Sequence, residues 1–104
     1  MRGDVYRLRA PKQPRGHEQE GARYAVELQG PIVLSTLIVA PTSTRAAAAV
    51  FRPDIVMDGT AIKVLVDQMS AVDGTIRLGD MVGRLSAQEM AEVDLAVRLM
   101  LGLL

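Results

Sequence analysis

Three short stretches of this chain carry residue types that do chemistry. Gly16-His17-Glu18-Gln19 sets an imidazole, a carboxylate and an amide side by side. Arg23 follows shortly after, and Thr42, Ser43 and Thr44 come directly after Pro41. An imidazole titrates near neutrality and suits acid or base work. A guanidinium binds phosphate or carboxylate oxygens through two parallel hydrogen bonds, and hydroxyls supply neutral donors. Each stretch also has a plain structural explanation. A single loop histidine or glutamate is commonly solvated, and an arginine stem can cover apolar surface. Turn hydroxyls can cap neighbouring amides.

Composition removes several alternatives. The chain has no cysteine, which excludes disulfides, thiolate metal sites and a cysteine nucleophile. One histidine rules out a mechanism using two imidazoles. No close carboxylate cluster is visible, so no metal and no other cofactor is expected. Formal net charge is zero, but Arg2, Arg7, Arg9, Lys12, Arg15 and Arg23 crowd the first quarter while acids weight the second half. That asymmetry permits a basic face, although a mixed solvated surface would read the same way. The start lacks a signal-peptide pattern and no apolar run spans a membrane, so a cytoplasmic protein without membrane partners is expected.

The elements that must hold these residues are mostly strands. At 104 residues with 49% hydrophobic and 3% aromatic content, one domain over 1–104 has a core of aliphatic side chains. So thin a core would gain from dimerisation through an apolar face. Strands are expected at 5–8, 23–29, 33–40, near 50–52, at 62–69 and at 81–85, with turns at Gly30-Pro31, Pro53, Asp58-Gly59 and Asp73-Gly74. Residues 33–40 read as a central strand buried on both faces and ending at Pro41, with 42–44 as a polar turn. Residues 11–21 read as a long loop of the kind that often carries function. Ser86 with Glu89 is a capping box, and Met90, Val93, Val97, Met100 and Leu101 line one face of the helix it opens, with Gly102 as its C-terminal cap. The class is mainly β with helices (α+β), a strongly curved antiparallel sheet or barrel closed by a C-terminal helix.

Taken in order, the stretches resemble the MazF/PemK toxin family. Met1-Arg2-Gly3-Asp4-Val5-Tyr6 is similar to that family's opening. Gly16-His17-Glu18-Gln19, Gly21 and Arg23-Tyr24-Ala25-Val26 are similar to its Gly-small-Glu-Gln, Gly, Arg-Pro signature. Val39 to Thr44, Val66-Asp67-Gln68-Met69 and Leu78 through Leu103 follow its later pattern. The resemblance covers essentially the whole chain. It departs at Tyr24, where many members have proline, at His17, where many have serine, and at the short turn 29–31. Glu27 puts a charge in an apolar strand, where it would weaken the sheet or face solvent at an edge.

The resemblance implies an SH3-like barrel, a homodimer, and sequence-specific, metal-independent cleavage of single-stranded RNA to 2′,3′-cyclic phosphate and 5′-hydroxyl ends. It implies Arg23 and Thr42 as the catalytic pair with Glu18 nearby, and a cognate antitoxin that covers the groove. RNA cleavage through the 2′-hydroxyl needs a base, positive charge on the phosphorane oxygens and a proton for the leaving oxygen. Glu18 or His17 could be the base, Arg23 the clamp and Thr42 a donor; a guanidinium is a poor acid, so the leaving-group acid stays open. His17, Gln19, Ser43, Thr44 and Gln68 are candidates for contacting RNA. The competing reading is a barrel without catalysis that binds a protein target such as a topoisomerase.

Overall fold

The computed structural model describes residues 1–9 and 23–104. Seven strands, all paired antiparallel, make a curled half-barrel: β1 (Asp4–Leu8), β2 (Arg23–Glu27), β3 (Thr36–Ser43), β4 (Asp54–Met57), β5 (Thr60–Val64), β6 (Ser70–Asp73) and β7 (Leu78–Arg84). The order is β4-β5-β3-β2-β1-β7, and β6 also pairs with β3. A 3₁₀ turn (Val66–Gln68) precedes β6, a single helical turn α1 (Gly74–Arg77) follows it, and α2 (Ala87–Leu101) ends the chain. The mainly β reading, with a curved sheet and C-terminal helix, holds.

Strand β3 organises the sheet. One edge pairs with β2; the other pairs first with β6 over Thr36–Val39 and then with β5 at Thr42 and Ser43. Pro41 stands where the second edge changes partner. Its carbonyl accepts from the Leu65 amide at 2.8 Å on that side, so the N–H it lacks would have pointed into the gap between β6 and β5. Proline therefore sits inside a central strand without breaking a ladder bond. The strand does not end at Pro41 as expected, and Thr42 and Ser43 belong to it.

The pleat puts two apolar clusters on opposite faces of the sheet. The larger joins Val5, Val26, Ala40, Ile55, Val64 and Val66 with Val93 and Ala96 of α2. The smaller holds Ala25, Val39 and Leu78 with Tyr6, Leu8, Leu37 and Val72 against it. Helix α2 follows its sequence signals. Ser86 Oγ accepts from the Glu89 amide at 3.1 Å, the Glu89 carboxylate accepts from the Ser86 amide at 2.9 Å, and Gly102 ends the helix at φ 70°. Leu101, expected on the inner face, is exposed.

Other expectations shift. Residues 32–34 are not buried strand: Val33 is 94% exposed. The Gln29 side chain grips this connection, donating to the Ile32 carbonyl at 2.7 Å and accepting from the Ile38 amide at 3.1 Å. There is no strand at 50–52; β4 begins after Pro53, and Asp58 (φ 51°) and Gly59 (φ 77°) turn it into β5. The expected strand 62–69 is the end of β5 plus the 3₁₀ turn. The turn expected at Asp73-Gly74 takes the form of the single helical turn α1, with the Asp73 carboxylate accepting from the Thr75 amide at 2.9 Å. Glu27 neither faces solvent nor sits at an edge: it is buried in a central strand, 2.8 Å from the N-terminal ammonium and 3.4 Å from the Tyr6 hydroxyl.

Candidate functional site

The smaller apolar cluster forms the floor of a cleft, and Arg23 stands at its edge. A cavity of about 210 Å³ is lined by Leu8, Arg23, Val39, Pro41, Gln68, Ser70, Val72 and Arg77. A second, of about 330 Å³, is lined by Arg7, Leu8, Arg9, Arg23, Gly79 and Asp80. Both share Leu8 and Arg23, which pair across β1 and β2, so the two cavities adjoin at that pair.

Arg23 is half-buried, and its Nε–H is buried with no hydrogen-bond partner. Such a group costs on the order of 1–3 kcal/mol unless a ligand oxygen satisfies it. The charges around it are also unbalanced. Elsewhere arginines and lysine are neutralised: Arg2 by Asp94, Arg52 by Asp67, Lys63 by Asp54 and Arg84 by Asp4, at 2.6–2.9 Å. Among the described residues the cations without a carboxylate partner are Arg7, Arg9, Arg23, Arg45, Arg77 and Arg98. Four of these six line the two clefts, where Asp80 is the one carboxylate among the described residues. A cationic trough with an apolar floor suits a polyanion bearing planar apolar groups.

The hydroxyls are placed by register. Residues 39, 41 and 43 of β3 share one face, and 40 and 42 the other. Thr42 pairs with Val64, a member of the larger core. It is 3% exposed, and its hydroxyl accepts from the Tyr24 amide and donates to the Tyr24 carbonyl, both at 3.2 Å. The structure thus turns Thr42 away from the face that carries Val39 and Pro41 beside Arg23. Ser43 has the parity of the cleft-lining residues and pairs with the half-buried Lys63. Its Oγ accepts from the Arg45 and Ala46 amides at 3.1 and 3.0 Å. Thr44 is exposed just beyond.

Gln68 lies in the same cleft as Arg23, on the 3₁₀ turn. Arg52 fixes that turn, meeting both Asp67 oxygens at 3.0 and 2.9 Å, and this contact holds the Asp67 carboxyl below its ordinary pKa. Glu18, His17 and Gln19 lie outside the described residues. Tyr24 packs against the core with Arg7 5.9 Å from its ring centre. Arg7, Arg9, Ser70, Arg77 and Asp80 were not singled out from sequence as site residues; the crowding of arginines before Arg23 was the available signal. Among the described residues no group of three His, Cys, Asp or Glu could hold a metal ion, and no helix is long and apolar enough to cross a membrane.

A curled antiparallel sheet with a terminal helix and a cationic cleft at the second strand defines a class already known in solved structures. MazF from Deinococcus radiodurans superposes with a TM-score of 0.78 at 27% identity, over 97% of this chain and 94% of that one. An endoribonuclease in complex with its cognate antitoxin, from a mycobacterial species, shares the fold with a TM-score of 0.80 at 18% identity, over 100% and 96% of the two chains. A Mycobacterium tuberculosis H37Rv protein provisionally assigned as a toxin, Rv3098A, is 44% identical over 104 residues, covering 99% of this chain and 98% of its own. The family model of PemK-like, MazF-like toxins of type II toxin–antitoxin systems matches residues 1–101. The chain belongs to that family.

Proposed function

We propose that this toxin is an endoribonuclease that cuts single-stranded RNA at a short preferred sequence, leaving 2′,3′-cyclic phosphate and 5′-hydroxyl ends without a metal. The observation that carries the reading is the Arg23 guanidinium: half-buried, with an unsatisfied Nε–H, no carboxylate partner and a cleft on either side. In this reading the scissile phosphate lies at Arg23. The 2′-hydroxyl oxygen attacks phosphorus, and its proton passes to a base, Glu18 by resemblance. Arg23 holds the two equatorial oxygens as charge builds. The 5′ oxygen leaves with a proton from a group that the described residues do not identify.

The hydroxyl donor we assign to this reaction is Ser43 rather than Thr42. The parity of β3 puts Ser43 on the face that Val39 and Pro41 present to the cleft, and the Arg45 and Ala46 amides anchor its Oγ there. Gln68, exposed in the same cleft, is a base-edge contact. A cognate antitoxin would cover this trough; the reading draws on family membership and on the antitoxin complex of the mycobacterial relative. Relief of growth arrest by the antitoxin candidate encoded beside this gene checks it.

The deciding assay incubates the purified protein with RNA in EDTA and identifies the new ends. The expected result is 5′-hydroxyl products, reduced at least about a hundredfold in Arg23→Ala, the scale for removing a group that stabilises transition-state charge. Equal degradation by both proteins would remove the assignment. Intact RNA together with tight binding to a protein target would favour the barrel without catalysis.

A further inference from the structure

We infer that the wider cleft, lined by Arg7, Leu8, Arg9, Arg23, Gly79 and Asp80, is a second nucleotide subsite that holds the phosphate flanking the scissile one. This rests on the nuclease reading above. Because Arg23 lines both clefts, a strand with its scissile phosphate there has one cleft for each of its two directions. One exit carries Gln68, Ser70 and Arg77. The other is lined by Arg7, whose guanidinium lies 5.9 Å from the Tyr24 ring centre, and by Arg9, and has about 330 Å³ of space, at the low end of small-ligand sites, which run from about 300 Å³ upward.

The fold builds this second exit deliberately. Leu8 pairs with Leu78 and Tyr6 with Met81, so Arg7 of β1 faces both Gly79 and Asp80 of β7. That two-against-one arrangement is a β-bulge, a device that re-aims side chains at sites. Gly79 borders both arginines: a Cβ there would make ordinary contacts, 3.4 Å from Arg7 Cβ and 3.9 Å from Arg9 Nε. Arg9 is held in place. Its amide donates to the Arg77 carbonyl at 2.7 Å, its Nη1 donates to the Thr75 carbonyl at 3.0 Å, and Arg77 Nε donates to the Arg9 carbonyl at 3.2 Å. Neither Arg7 nor Arg9 has a carboxylate partner. A phosphate is the ligand that fits two such guanidiniums. Asp80, the one acid among the described lining residues, opposes it.

Two variants with opposite expected signs test the subsite. The probe is an RNA containing a site mapped by cleavage, made uncleavable by a 2′-deoxy nucleotide at the cut. Arg9→Ala is expected to bind it several-fold more weakly, with a salt slope shallower by about 0.7, the value for one phosphate contact on a single strand. Asp80→Asn is expected to bind it more tightly. In a series of probes with one phosphate replaced by a neutral methylphosphonate, wild type should show a penalty at the linkage flanking the cut, and Arg9→Ala should lose that penalty alone. If wild type cuts RNA but Arg9→Ala binds like it, or loses affinity equally at every linkage, the subsite is overturned while the nuclease stands. If wild type leaves RNA intact, both fall.

Discussion

At the scale of single residues, the site turns on which way a hydroxyl points. Thr42 and Ser43 are adjacent, and the pleat sends them to opposite faces. Thr42 Oγ1 satisfies the amide and carbonyl of Tyr24 inside the protein; Ser43 shares the parity of Val39 and Pro41, which line the cleft with Arg23. The two positions should therefore fail in different ways. Thr42→Val leaves two backbone groups without a partner and should cost about 1–3 kcal/mol of stability, while the folded fraction keeps its turnover. Ser43→Ala removes caps from two amides for about 1 kcal/mol and should lower kcat by roughly a hundredfold, with Ser43→Thr restoring much of it. Urea melts alongside single-turnover cleavage separate the cases. A Thr42→Val protein that is stable but inactive would return the role to Thr42. The resemblance put Thr42 in the catalytic pair and Ser43 among the RNA contacts, and the pleat could not inform that choice because the strand was expected to end at Pro41. The gap between β6 and β5, which lets a proline sit there, depends on pairings distant in the chain.

At the scale of elements, local signals were legible and long-range ones were not. The capping box of α2 and the Asp58-Gly59 turn depend on neighbours a few residues apart, and both stand as read. The stretch 33–40 was read as central strand because it is apolar. Its first residues instead project from the connection between β2 and β3, with Ile32 68%, Val33 94% and Leu34 60% exposed. Burial could not be inferred there, since apolar side chains look alike whether their cover is the same chain or another. Gln29 fixes the connection at both ends, so the apolar residues are presented by a braced loop rather than a loose one. An exposed apolar cluster on a braced loop is where the homodimer expected from the sequence would make contact. Val33→Asp touches no described contact within the chain, so its thermal melt as a monomer should stay within about 0.5 kcal/mol of wild type. Sedimentation should show wild type as a dimer and the variant shifted to monomer. A wild-type monomer, or a variant dimer of undiminished affinity, would reject this face.

At the scale of the whole molecule, a formal net charge of zero argues against attraction to a polyanion, and the fold answers it by sorting charge. The carboxylates Asp4, Asp54, Asp67 and Asp94 neutralise cations away from the cleft. Arg7, Arg9, Arg23 and Arg77 line it, with Asp80 as the one acid among the described residues. Binding should therefore respond to salt like that of a basic protein. Each phosphate neutralised on a single strand contributes about −0.7 to the slope of log K against log salt, so four contacts give about −2.8. The uncleavable probe, titrated from low to moderate salt, measures this directly, and alanine at Arg7, Arg9 or Arg77 should each remove about one share. Global neutrality keeps the field weak beyond a Debye length of about 10 Å at 0.1 M salt. The same titration should then show an association rate that depends on salt less steeply than the affinity does, because the four arginines act after contact. A slope near zero would mean that the sorted charges do not face the RNA, and the trough would lose its claim to be the binding surface.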